Sequence, residues 1–261
     1  MYFTLCVLFF FLAADAAVPC PLLPENQYQA EGYDNCDMLL NGEYSVINNF
    51  IKPGMCIFDI GANKGEWTRA ALSVTSELKM YAFEPVTELC EALRKESFGG
   101  SIELIQCALS DCEQLCNFFY YPGEKLSGLS GMFHRPILQD QLKVSPKVFE
   151  ILTISLDNFC SDKNIDKINF VKIDTEGAEL KIIKGAIGML KKGAIDAIQF
   201  EYGGTYLDSC ATLEELYKLL QAHGFSVYRI SSRGLLHIPY WISRLENYRY
   251  SNYLALRNEA F

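Results

Sequence analysis

Residues 57–68 read Ile-Phe-Asp-Ile-Gly-Ala-Asn-Lys-Gly-Glu-Trp-Thr, and no other stretch restricts the fold as much. The apolar run Met55-Cys56-Ile57-Phe58 leads into Asp59, a short loop carries Gly61 and Gly65, and Glu66 to Ser73 reads as a helix. Strand, glycine turn and helix in that order is how α/β sheets hold nucleotide-like ligands. Gly61 permits a sharp turn, and Gly65 is expected to leave room where the ligand approaches the helix N-terminus. A second strand of the same kind follows: Met80-Tyr81-Ala82-Phe83 ends in Glu84 and is stopped by Pro85. A carboxylate at the end of the second strand suits the two hydroxyls of a ribose diol.

Glycine spacing decides which nucleoside. The dinucleotide fingerprint needs G-x-G-x-x-G to admit a pyrophosphate. Here Asn63 stands at the second glycine position, with a Cβ and a polar amide. Lys64 lies within the turn, but no G-x-x-x-x-G-K-[ST] phosphate loop is present. A ribose ligand without pyrophosphate fits better, and S-adenosylmethionine (SAM) is the obvious one. A nicotinamide oxidoreductase is the disfavoured rival.

Asp59-Ile-Gly61-Ala-Asn63-x-Gly65 is similar to motif I of class I SAM-dependent methyltransferases. Phe170-Val-Lys172-Ile-Asp174-Thr-Glu176-Gly177-Ala-Glu179, followed by Gly185-Ala186, resembles the signature of the FkbM family. Cys107-Ala108-Leu109-Ser110-Asp111 and Ile198-Gln199-Phe200-Glu201-Tyr202 resemble that family's intermediate motifs. The resemblance runs from about Asn41 to the C-terminus. It implies a Rossmann-like domain and O-methylation of a sugar or other small metabolite, with the acceptor itself unspecified.

The 261-residue chain divides by composition into an apolar segment 1–17, an extension 18–40 and a single domain 41–261. The segment reads as a signal ending in Ala14-Asp15-Ala16, or as an apolar strand or helix packed on the domain, and lacks a basic n-region. Left uncleaved, it is the chain's one route to a membrane. Use of SAM, a cytosolic metabolite, favours the cytoplasm, whereas a signal implies export. The net charge of −9 argues against nucleic acid and favours a small-molecule or glycan acceptor. The ten cysteines form no metal pattern and read as buried thiols, except that Cys20 and Cys36 could pair in an exported chain. No metal is required by these motifs, though Asp174 and Glu176 are of the type that holds a divalent ion.

Alternation of strand and helix patterns predicts an α/β fold: a Rossmann-like, seven-stranded, mostly parallel sheet with helices on both faces and the last strand antiparallel. Strands are expected near 55–60, 79–84, 102–107, 168–174 and 194–201, with 225–230 and 253–257 as an antiparallel pair. A single helix is expected over 178–191. Residues 121–148, rich in glycine and proline, read as a substrate lid.

Ligands in open α/β sheets sit at the carboxyl ends of strands, where Asp59, Glu84, Asp174 and Glu201 all fall. Asp59 is expected to orient the loop and the donor's amino group, Gly61, Asn63 and Gly65 to form the cradle, and Glu84 to take the ribose. Ala108 and Leu109 are placed for the adenine, with Asp111 to accept from its amino group. Asp174 and Glu176 are the candidates for the chemical step, with capping of the next helix as the plainer role for Glu176. Glu179 reads as solvated or helix-capping, His134 as a base carried by the lid, and Trp67 as a pocket or packing residue. A non-catalytic binding module with the same fold is the remaining alternative.

Overall fold

The computed structural model describes residues 33–98, 101–123 and 126–258. Segment 1–17, most of the extension 18–40 and Cys20 therefore lie outside the described residues. The elements run α1 (Glu43–Phe50), β1 (Cys56–Ile60), α2 (Glu66–Val74), β2 (Lys79–Phe83), α3 (Thr87–Arg94), β3 (Ser101–Ile105), β4 (Ala108–Ser110) and β5 (Gln114–Tyr120). Then follow α4 (Pro136–Leu142), β6 (Lys147–Ser155), α5 (Leu156–Lys163), β7 (Ile168–Ile173), α6 (Glu179–Lys184), α7 (Ile187–Lys191) and β8 (Ile195–Tyr202). The chain closes with α8 (Thr205–Ser209), α9 (Leu213–Ala222), β9 (Phe225–Ser231), β10 (Gly234–Ile238) and β11 (Ser251–Arg257).

The main sheet has the order β10-β9-β11-β8-β7-β1-β2-β3. Strands β3, β2, β1, β7 and β8 are parallel; β11 runs antiparallel between β8 and β9. The sheet has eight strands rather than seven, because the chain after β9 turns back and adds β10 as an antiparallel hairpin partner. The central strands read as continuous apolar runs because both faces are covered. Helices α1 and α2 pack with Ile57, Met80, Phe170 and Ala197 on one face; α5 to α7 and α9 pack with Phe58, Val171 and Ile198 on the other. No helix among the described residues is long and apolar enough to cross a membrane.

Strands β4, β6 and β5 form a separate three-stranded sheet. The helix expected over 178–191 is two helices, α6 and α7, broken at Gly185-Ala186. The periodicity continues through the break, but Gly185 presses on the small sheet: a Cβ there would lie 2.1 Å from the Ser110 carbonyl oxygen. Its own carbonyl accepts from the Asp157 amide at 2.9 Å, which ties α5 to the same corner.

Candidate active site

The loop after β1 is shaped by close approach. Gly61 has φ 84°, and a Cβ on it would sit 1.9 Å from the carbonyl oxygen of Asp174. Its amide and that of Ala62 both donate to the Phe83 carbonyl at 3.0 Å, and the Asp174 amide donates to Ile60 at 3.0 Å. The ends of β1, β2 and β7 are thereby pinned together, and only glycine fits at the junction. Gly65 differs from its sequence reading. It has φ 77°, and a Cβ there would meet Leu93 of α3 at 2.7 Å, so the space it leaves is filled by packing rather than by a ligand.

Glu84 organises the next wall. Its Oε2 accepts from the Asn63 amide at 2.8 Å and its Oε1 from the Val86 amide at 2.8 Å. Burial outweighs those two bonds and pushes its carboxyl up to about 7. Each oxygen retains an acceptor site, since a carboxylate offers about four lone-pair positions.

These residues border a cleft of about 650 Å³, its open mouth included. Gly61, Asn63, Glu84, Ala108, Leu109, Asp174 and Glu176 all line it, with Ser127, Gly128, Ser130 and Met132 of the segment expected as a lid. Asp59, Gly65 and Asp111 are not among the lining residues. Asp59 is fully buried beneath the loop, where its Oδ2 accepts from Thr68 Oγ1 at 2.6 Å. Asp111 lies beyond the end of β4, exposed, accepting from Ser110 Oγ at 3.0 Å with Lys181 Nζ 3.8 Å away. His134 is exposed with its ring against Phe119, and Trp67 is buried against Phe170. The lining contains neither of them.

The residues fit a nucleoside carrying an aminoacyl group. Asn63 Oδ1 and Ser127 Oγ are buried at the cleft with no hydrogen-bond partner among the described residues. An orphaned polar atom of this kind costs about 1–3 kcal/mol unless something bonds to it. Both stand beside the loop and can bond a zwitterion, while Glu84 offers acceptors for a diol.

The far wall is acidic. Asp174, Glu176 and Glu201 bring carboxylate oxygens within 4.8 Å of one another. Two organic cations already serve them: Lys172 Nζ donates to Asp174 Oδ2 at 2.8 Å, and Arg135 Nη1 donates to Glu176 Oε2 at 2.7 Å. Burial acts to raise Asp174, but Lys172 and a hydrogen bond with Glu201 outweigh it and hold this carboxyl below its ordinary value. Glu201 moves the opposite way: burial and the Asp174 charge keep it protonated, so the pair shares one proton. Burial also raises Glu176 to about 8 despite Arg135.

Glu176 has φ 55°, an uncommon left-handed backbone for a side chain of its size. Gly177 follows at φ 105°, so the turn carries Glu176 into the cleft instead of into a helix cap. Glu179, the first residue of α6, fastens the same turn: its Oε1 accepts from both the amide and the hydroxyl of Thr175 at 2.9 Å. Glu179 is buried rather than solvated, and burial raises it to about 7. Sequence reasoning did not single out Lys172, Arg135 or Ser127. A lysine inside an apolar central strand is a legible signal; Arg135 and Ser127, in an irregular stretch, carry none.

The model of the methyltransferase FkbM domain matches residues 59–227, more than half of the chain. The 2-O-methyltransferase NoeI of Sinorhizobium fredii is 27% identical over 171 residues, covering 62% of this chain and 70% of NoeI. The 31-O-demethyl-FK506 methyltransferase FkbM of Streptomyces tacrolimicus is 25% identical over 201 residues, covering 68% of this chain and 75% of its own. The matched region contains the glycine loop, Glu84 and the carboxylates of the cleft, and the chain belongs to the FkbM methyltransferase family.

Proposed function

We propose that this SAM-dependent methyltransferase methylates a hydroxyl of a neutral, hydroxyl-rich small molecule or glycan. The carrying observation is that the glycine loop and the carboxylates of Asp174 and Glu176 line one cleft. SAM supplies an electrophilic methyl group on a sulfonium. In this reading the loop at Gly61, with Asn63 and Ser127, holds the aminoacyl part, Glu84 accepts from the ribose, and Ala108 and Leu109 flank the adenine. Asp59 acts from beneath, by holding the loop, and Asp111 is left without a donor contact. Asp174, kept ionised, accepts the proton of the acceptor hydroxyl as its oxygen displaces the sulfonium in line. Both named relatives are O-methyltransferases by name. The carboxyls of this wall offer hydrogen-bond donors and acceptors together, which suits the hydroxyls of a neutral polyol.

The test is transfer of labelled methyl from SAM into a panel of neutral, anionic and cationic hydroxylated compounds, with Asp174→Asn alongside. Label should enter neutral hydroxyl compounds, and the variant should lose about 100-fold or more in kcat, the lower end of general-base contributions. Full activity in the variant removes Asp174 from the chemistry. Tight NAD binding without S-adenosylhomocysteine binding, by calorimetry, would revive the oxidoreductase reading.

A further inference from the structure

Lys172 is the penultimate residue of β7, the strand between β1 and β8, with its side chain only 5% exposed. Its register partners are Asp59 on β1 and Gln199 on β8. Because side chains alternate along a strand, Lys172 and Asp174 share a face, and Nζ reaches Asp174 Oδ2 at 2.8 Å. On the same face α1 contributes Glu43, buried, whose carboxylate accepts from Asn41, Gln199 and Asn252 at 2.7, 2.6 and 3.1 Å. Below the glycine loop, Asp59 is anchored to Thr68 of α2. One buried ammonium thus stands among three acidic side chains drawn from α1, β1 and the end of β7.

Placing a lysine there is costly. A buried ion loses several kcal/mol of hydration and recovers it only through close partners. A methionine of similar length would pack into this strand without that cost if Asp59 and Glu43 were apolar too. The three carboxylates keep Lys172 charged against the effect of burial.

We propose that Lys172 is a positioning residue for methyl transfer: the buried cation that anchors one oxygen of Asp174 and preserves its negative charge at the cleft, beside Asp59 at the floor of the donor loop. The proposal rests on the reading of Asp174 as proton acceptor. Without Lys172, Asp174 loses the cation that offsets burial, and more of it is held in the neutral form, which cannot take the proton of a hydroxyl. Glu201 already holds the proton shared with Asp174, and Glu176 is engaged with Arg135, so neither takes over the role. Among the described residues, the titratable groups facing Asp174 are Lys172 on β7, Glu201 on β8, Glu176 in the following turn, Glu179 on α6, Asp59 on β1, Glu43 on α1 and Tyr250 ahead of β11. Only Lys172 among them is a cation, and Arg135 reaches the cluster through Glu176.

The experiment compares Lys172→Met, Lys172→Arg and Asp174→Asn with the wild type. It reads kcat against pH at saturating SAM and the S-adenosylhomocysteine dissociation constant by calorimetry. Lys172→Met should lose about 100-fold in kcat at pH 7 and regain part of it as pH rises, its acid limb moved up by more than about one pH unit. The dissociation constant should stay within about threefold, because Lys172 does not line the cleft, and Lys172→Arg should restore part of kcat by keeping the charge. Wild-type kcat and an unmoved pH profile in Lys172→Met overturn the proposal while leaving Asp174 in place. An active Asp174→Asn overturns the underlying reading instead. Should Lys172→Met fail to fold, Lys172→Met with Asp59→Asn removes one buried charge of each sign and should show the same displaced acid limb. An undisplaced limb in that double variant also overturns the proposal.

Discussion

At Gly61 the reason for glycine comes from a strand more than a hundred residues further along the chain. The sequence places a turn there, and the turn exists, but the contact that forbids a Cβ is the Asp174 carbonyl at 1.9 Å. Gly65 teaches the same lesson with the opposite outcome, since its empty side faces Leu93 and not a ligand. Glu84 was legible because a carboxylate at a strand end is a local pattern; that its oxygens brace both Asn63 and Val86 was not. With its proton released at about 7, Glu84 should make donor binding depend on pH. Above that value the carboxylate can only accept, as a diol requires; below it one oxygen becomes a donor. The S-adenosylhomocysteine dissociation constant, followed by calorimetry, should therefore rise as pH falls below 7. In Glu84→Gln it should be about tenfold weaker, the worth of one charge-assisted bond, and flat with pH. A wild-type constant that does not change between pH 5.5 and 8 would remove Glu84 from the donor site.

Among the elements, the segment between β5 and β6 shows how far an irregular stretch can be read. Its glycines and prolines announced a functional loop, and residues 127, 128, 130 and 132 do line the cleft. They line the side where Gly128 faces the Asn63 side-chain Nδ2 and Gly131 faces Glu176, so the segment walls the donor loop as well as the acidic face. Its fastening is Arg135, at the start of α4, with Glu176 at 2.7 Å and Asp208 at 3.8 Å. Arg135→Met should destabilise by about 2–3 kcal/mol, less than a fully broken buried pair, because Glu176 can take up a proton instead of remaining as a bare charge. Hydrogen exchange should quicken in residues 126–135 while β1 and β7 stay protected. Unchanged exchange there would mean that the pair does not hold the segment. The break between α6 and α7 lay beyond sequence patterning for a similar reason: Gly185 yields to Ser110 on another sheet, and periodicity records only which face is apolar.

For the molecule as a whole, several carboxyls are buried at one end of the sheet, and stability must carry their mark. In the folded protein burial raises Glu84 and Glu179 to about 7 and Glu176 to about 8, against an ordinary glutamate value of 4.5. Between those limits the folded state binds more protons than the unfolded chain, so stability falls as pH rises from 4.5 and levels off above 8. Asp174 acts in the opposite sense, but its lowered value confines that effect to pH below 3.8. The ligand-free protein should thus melt highest near about pH 4.5 and lose several degrees by pH 8.5, measurable by scanning calorimetry. A melting temperature that climbs over this range would show that these groups are not held neutral by burial.

What the chain determined on its own is local: apolar strands of period two or of continuous burial, helices with their stops, a glycine turn after β1 and an acidic strand end after β2. Those patterns involve neighbours in sequence, and they suffice for a parallel α/β sheet and for the donor class. The acidic wall is of another kind. Arg135 and Glu176 are 41 positions apart, Asn63 and Glu84 are 21 apart, and Gln199 reaches Glu43 across 156. Whether a carboxyl is charged depends on which cation or apolar surface the fold brings against it, and no spacing encodes that. Composition and motif therefore name the methyl donor, whereas the protonation of the carboxyls at the cleft is decided only when β1, β7 and β8 lie side by side.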